Sequence, residues 1–340
     1  MPSILTRPSG GGGVSASLSV AFYSDAGLTT PISTPQFGQS VWIKATASGF
    51  APDEYTFYLP DNLGGLVDVT QSGNSYEYDC RTSGTINVVV IATDTIGGSY
   101  AGGSGTLTIG TLESKYSIDA AYGNQVTLVS DKVDVWTDIT GNAHNATAPS
   151  ATTRGYTTQW GGSSECVGVS TENDDRLITN LNMNTSEVTL YGVFDFNDNT
   201  VQGALNVLGI VTGDANITSC RFNAVSVDDT INPRTINFQV RTSSGAFELT
   251  GNIVNGKVMF VFKYSSGTMR AIINGTTSSQ AVTGTLVGSG TINYALLNVN
   301  TGSWAGACPF PVYSLGIKTS ALSDSDQDQL YADLVKKYPA

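Results

Sequence analysis

Any acid–base or nucleophilic chemistry that calls on an imidazole must use His144, the only histidine among 340 residues. A Ser-His-Asp or Cys-His arrangement needs that ring beside a nucleophile and an orienting group. His144 lies instead in Trp136-Thr-Asp138-Ile-Thr-Gly141-Asn142-Ala-His144-Asn145-Ala-Thr147, a polar stretch that reads as a surface loop. His144 and Asn145 are candidates for contact with a ligand. The hard oxygens of Asp138 and Asn142, with Asp174 and Asp175 of Glu172-Asn-Asp174-Asp175, could converge on a calcium ion. No EF-hand loop supports that site, and turn and cap roles account for the same residues. Trp136 stands beside Val133-x-Val135 and reads as core. Trp160, in Trp160-Gly-Gly, and Trp304, in Thr301-Gly-Ser-Trp304-Ala-Gly, are candidates for stacking on a sugar face.

Composition removes several function classes. Net charge is −12 and only 16 residues are Lys or Arg, so a phosphate-binding surface is not expected. Nucleic acid and anionic membranes are poor partners, and no apolar run approaches the roughly 20 residues that span a bilayer. Cys80, Cys166, Cys220 and Cys308 form no Cys-x-x-Cys pair, which argues against zinc. The N-terminus shows no apolar export signal, so these read as reduced thiols, with a Cys166–Cys220 or Cys220–Cys308 bridge as the alternative.

The elements that must position these residues are strands. Charged residues make up 13% and glycine contributes 38 positions, a balance that suggests an all-β protein with polar loops. Residues 1–13 combine two prolines with four glycines and read as a flexible arm that could anchor the chain. Over 14–110, alternating runs at Val14–Phe22, Val41–Ala45, Tyr55–Leu59, Ile86–Ala92 and Gly105–Ile109 predict a β-sandwich. The pattern Gly49-Phe-Ala-Pro52-x-x-Tyr55-x-Phe57 with Gly84-Thr-Ile-Asn-Val88-x-Val90-x-Ala92-x-Asp94 resembles bacterial and phage immunoglobulin-like domains, which act as spacers or surface attachments.

Residues 111–340 form a larger unit. Glu187–Phe194, Ala204–Ile210, Thr235–Val240, Val258–Lys263 and Met269–Ile273 read as strands, and Asn274-Gly275 predicts a type I′ hairpin turn. Ser323 and Asp326 predict the capped start of a C-terminal helix, with Leu330 and Leu334 on its apolar face and Tyr331, Val335 and Tyr338 widening it. The Trp136–Thr147 motif, the Lys257–Gly275 stretch and this Ala321-Leu-Ser-Asp helix occur in an order that resembles concanavalin-A-like (laminin-G-like) jelly rolls. The resemblance implies a domain that binds glycans or protein surfaces, on a fold that often carries calcium at a loop rim.

Members of that family that hydrolyse β-glucans carry Glu-x-Asp-x-x-Glu on one strand, and none of Glu54, Glu77, Glu113, Glu165, Glu172, Glu187 and Glu248 begins such a motif. The expectation is therefore a chain that is not an enzyme. The chain is expected to be a virion surface protein (head fibre, capsid decoration or tail-associated adhesin) that attaches to host or environmental glycans. Its partners would be other virion proteins through the arm, host-surface glycans and further copies of itself, with no cofactor other than the calcium considered above. A bacterial cell-surface carbohydrate-binding protein, or a non-catalytic module of a polysaccharide-degrading system, is the alternative.

Overall fold

The computed structural model describes residues 16–60, 65–148, 156–160, 163–170, 177–181, 185–196, 204–211, 222–228, 234–253, 256–287, 293–296, 298–300, 305–307 and 312–338. The protein is all-β, a sandwich and jelly-roll fold with a short C-terminal helix. It divides into two compact units, Met1–Lys115 and Tyr116–Ala340. The division falls after Lys115 because Gly110 N–H donates to Pro35 O (2.8 Å) and Lys115 Nζ to Phe37 O (3.1 Å), which ties that segment to the smaller unit. The arm at 1–13 lies outside the described residues.

The smaller unit contains β1 (Ser17–Tyr23), β2 (Ser40–Ser48), β3 (Glu54–Pro60), β4 (Leu66–Gln71), β5 (Ser75–Asp79), β6 (Gly84–Thr93) and β7 (Tyr100–Ile109). They form two antiparallel sheets in the orders β1-β2-β5 and β4-β3-β6-β7. Alternate residues of the central strands face inward, so Val41, Ile43, Ala45, Phe57, Val88 and Val90 make one core. Cys80 is buried in that core. Cys166, Cys220 and Cys308 have side chains outside the described part.

A short helix, α1 (Leu112–Tyr116), spans the division. The larger unit then runs through β8 (Ala120–Val129), β9 (Lys132–Asp138), β10 (Ala146–Thr147), β11 (Tyr156–Trp160), β12 (Ser163–Ser170) and β13 (Leu177–Thr179). It continues with β14 (Val188–Phe196), β15 (Ala204–Val211), β16 (Phe222–Asp228), β17 (Arg234–Thr242), β18 (Gly245–Ile253), β19 (Gly256–Ser265), β20 (Thr268–Ile273) and β21 (Thr276–Ala281). It ends with β22 (Asn293–Leu296), β23 (Asn298–Asn300), β24 (Ala305–Ala307), β25 (Val312–Lys318) and helix α2 (Asp324–Lys337). One hydrogen-bonded path runs β18-β17-β16-β15-β22-β13-β10-β9-β8-β25-β14-β19-β20-β21. The path folds over on itself, and Phe238 of β17 stacks on Phe262 of β19 with ring centres 4.5 Å apart and 4° between planes. Asn274 and Gly275 take positive φ (46° and 82°) in the β20–β21 turn, as a type I′ hairpin requires.

Strand β19 is buried on both faces. Phe260 and Phe262 enter the sandwich core, whereas Val261 and Lys263 face helix α2. Ser323 caps the helix by accepting from Asp326 N–H at 3.1 Å, and its hydroxyl donates to the Asp326 carboxylate at 2.7 Å. Leu330 and Leu334 are buried, but Val335 is 44% exposed and does not widen the apolar face, since one further residue turns it about 100° away. The buried face carries polar residues instead. Gln327 donates to Val261 O (2.9 Å) and Arg270 O (3.1 Å), and Asp333 accepts from Tyr116 Oη (2.8 Å).

Close approach requires glycine at one position on β25. Gly316 pairs across from Tyr191 of β14, and a Cβ there would run into the Tyr191 ring. Gly316→Ala is expected to destabilise the larger unit by about 1–3 kcal/mol through overpacking. A denaturant melt showing no change would contradict that packing.

Candidate functional site

The rim loop of the larger unit joins β9 to β10, which return alongside each other with Ala146 opposite Trp136 and Thr147 opposite Val135. The loop turns through left-handed backbone at Gly141 (φ 86°) and Ala143 (φ 60°). Beneath it, Trp136 is fully buried, 5.5 Å from the Tyr122 ring, and its indole N–H donates to Gly123 O at 2.5 Å. Trp136 is therefore core, as its apolar neighbours suggested.

Asp138 is the hub of the loop. The residue is 6% exposed and its carboxylate points inward, where Oδ1 accepts from Ala121 N–H (3.0 Å) and Thr140 N–H (3.0 Å). Oδ2 accepts from His144 N–H at 3.0 Å, and the Thr140 hydroxyl reaches both oxygens. Asn145 Oδ1 in turn accepts from Asp138 N–H at 2.8 Å. Asn142 Nδ2 donates to Asp119 O at 2.8 Å, and Thr140 Oγ1 reaches the same carbonyl at 3.2 Å. Such donors offset the cost of burying the charge and hold the loop in one shape.

His144 stands on the outer side of this hub and is partly exposed. Its carbonyl accepts from Tyr122 Oη at 2.6 Å and Thr179 Oγ1 at 2.9 Å. Its Nδ1 lies 2.9 Å from Asn180 Oδ1. Burial above all, with the Asp138 charge adding to it, pushes the Tyr122 phenol above its usual range. Tyr122 therefore stays a donor throughout the working pH range.

The candidates from the sequence separate on this geometry. His144 and Asn145 are together on the loop with Asp138 and Asn142, which hold its shape. Trp160 ends β11, where its backbone pairs with Ser163, and its side chain lies outside the described part. Trp304, Asp174 and Asp175 lie outside the described residues. Among the described residues no group of three or more His, Cys, Asp or Glu side chains gathers as a metal cage. Asp138 already uses both oxygens on protein donors. Adding a chelator is therefore expected to leave the calorimetric melting temperature unchanged, and a fall would reinstate a calcium ion.

Tyr122, Thr179 and Asn180 complete the site and were not candidates from the sequence. They come from strand β8 and the end of β13, and no local spacing connects them to His144. In the smaller unit a cleft of about 450 Å³ lies beside Leu59, Pro60, Val67, Tyr76 and Arg81. The Arg81 guanidinium there already pairs with Asp79 at 3.0 Å.

No protein-family model and no curated protein matches the sequence. Among solved structures, the chain is similar to domain 4 of AbnA, a GH43 extracellular arabinanase from Geobacillus stearothermophilus, bound to arabinotriose. Identity is 14% and the TM-score 0.38, over 63% of this chain and 98% of that domain. It is also similar to Trypanosoma rangeli sialidase, at 8% identity and TM-score 0.47, over 92% of this chain and 57% of the sialidase. A third similar structure is tailspike protein 2 of the Escherichia coli O157:H7 bacteriophage CAB120, at 13% identity and TM-score 0.39, over 68% of this chain and 30% of the tailspike. These neighbours are carbohydrate-binding and glycosidase-like β-sandwich proteins and a phage tailspike, and likeness at this level assigns no activity.

The comparison does correct one expectation. A chain that is not an enzyme was inferred from a missing Glu-x-Asp-x-x-Glu motif, yet the similar structures include sialidases and an arabinanase domain. The inference fails for a physical reason. Most glycosidases use two carboxyl groups roughly 5–10 Å apart in space, which different strands can supply without any linear motif, and sialidases use a tyrosine nucleophile instead.

Proposed function

We propose that this chain is a glycan-binding protein displayed on a virion surface. On this reading the larger sandwich carries the binding rim, and residues 1–13 attach the chain to other virion proteins. The observation that carries the binding role is the loop 139–145. Buried hydrogen bonds fix its shape, while Asn142, His144 and Asn145 remain at the surface. Polar groups ordered before a ligand arrives bind with a smaller entropic penalty, and sugars are recognised by hydroxyl contacts of this kind. Two β-sandwich units with net charge −12 suit a display role better than contact with nucleic acid.

The test is an array of bacterial-surface glycans probed with the full chain. Saturable binding to a defined set is expected, and uniform absence of binding would overturn the glycan role. The same incubations, read for released reducing ends, show whether a bound glycan is also cleaved. Gold-labelled antibody should decorate virions. Decoration of bacterial envelopes instead would move the protein to a cell surface, and normal particle assembly after deletion of residues 1–13 would remove the anchoring role.

A further inference from the structure

We propose that His144 Nε2 is a hydroxyl-accepting atom for a neutral, polyhydroxylated ligand, an assignment that rests on the glycan reading above. Three of the four polar atoms of His144 are already committed. Its N–H donates to Asp138, its carbonyl accepts from Tyr122 and Thr179, and its Nδ1 meets Asn180 Oδ1 at 2.9 Å. An amide oxygen only accepts, so Nδ1 carries the proton and the neutral ring presents Nε2 as a bare acceptor. The histidine is thus oriented and its tautomer chosen, with one nitrogen left for a ligand.

Its neighbours extend the pattern. Asn145 turns its carbonyl inward to Asp138 N–H, which leaves its NH₂ as an outward donor. Asn142 turns its NH₂ inward to Asp119 O, which leaves its carbonyl as an outward acceptor. The loop therefore offers acceptor, acceptor and donor at Asn142, His144 and Asn145. Sugar hydroxyls donate and accept at once and can satisfy all three. The charges beneath the loop, Asp138 and Asp119, are negative, so the site favours neutral sugars over sialic or uronic acids.

A chain with one histidine makes the test direct. The full protein, labelled with ¹⁵N-histidine and made without a histidine tag, should show a protonated Nδ1 and a bare Nε2 in the neutral ring. Titration with cellotriose, maltotriose, chitotriose and lactose, against sialyllactose and trigalacturonate, should move the Nε2 resonance for a neutral sugar only. His144→Phe should weaken that binding by about tenfold, as loss of one hydrogen bond does, with the melting temperature retained. Asn180→Leu, which leaves the ring but releases its tautomer, should weaken it less. A protonated Nε2 in the free protein, or preference for the acidic sugars, would overturn the assignment. Neutral-sugar binding untouched by His144→Phe would overturn it while leaving the glycan reading intact. A bare Nε2 with no sugar bound by the chain would overturn both.

Discussion

Trp136→Ala should destabilise the larger unit by about 3–5 kcal/mol, the range for truncating a buried aromatic residue. Trp136 is fully buried, packs at 5.5 Å on Tyr122, and gives its indole N–H to Gly123 O. The substitution opens a cavity under the rim and strands the Gly123 carbonyl. For a unit of this size the melting temperature should fall by roughly 10 °C or more. Trp136→Phe keeps most of the apolar area and loses the N–H donor, so it should cost about 1–2 kcal/mol. A tryptophan that stacked on sugar would behave the opposite way, with little stability lost and binding abolished. Denaturant melts of the two variants separate these roles.

Asp138→Asn should be nearly as damaging although it changes one atom. One carboxylate oxygen serves Ala121 N–H and Thr140 N–H, and the other serves His144 N–H. An amide in either orientation sets its NH₂ against at least one of these donors, so one orientation strands His144 and the other strands two amides. Loss of a charge-assisted bond with a donor left buried is worth about 3 kcal/mol. The variant should also lose glycan binding while still folded, because the backbone anchor of His144 is gone. Stability within experimental error of the parent would show that the hub is not the organiser described above.

The strands of the smaller unit were legible where burial alternates. Val41-x-Ile43-x-Ala45 and Ile86-x-Val88-x-Val90-x-Ala92 are inward-facing sets and announce β2 and β6 directly. Of the four edge strands, β1 and β7 also alternate and were legible, whereas β4 and β5 were not. In β4, Leu66 is 72% and Val67 46% exposed, so no period appears, and β5 is the polar run Ser-Tyr-Glu-Tyr-Asp. Turn chemistry was similarly uneven. Asn274-Gly275 is a visible hairpin signal, whereas the β8–β9 turn places Ser130 (φ 54°) and Asp131 (φ 62°) in the left-handed region without a glycine.

The site was half legible. The Trp136–Thr147 motif marks the loop, and the apolar neighbours of Trp136 reveal it as core. The direction of the Asp138 carboxylate could not be read, because calcium ligand and loop hub call for the same residue type. Tyr122, Thr179 and Asn180 were hidden because strand pairing through β8, β9, β10 and β13 brings them to His144. The enzyme question failed on the same ground, since a linear acidic motif describes only one way to bring two carboxyl groups together.

The central claim is that the Trp136–Thr147 motif builds a rigid loop, held on Asp138, that presents Asn142, His144 and Asn145 at the surface. Native-state amide hydrogen exchange on the full chain tests it directly, because the donors that hold the loop are themselves exchangeable. The amides of Thr140 and His144, although in a loop, should exchange as slowly as those of β9 beneath them. Exchange of these two amides at unprotected rates, while β9 stays protected, would contradict the account.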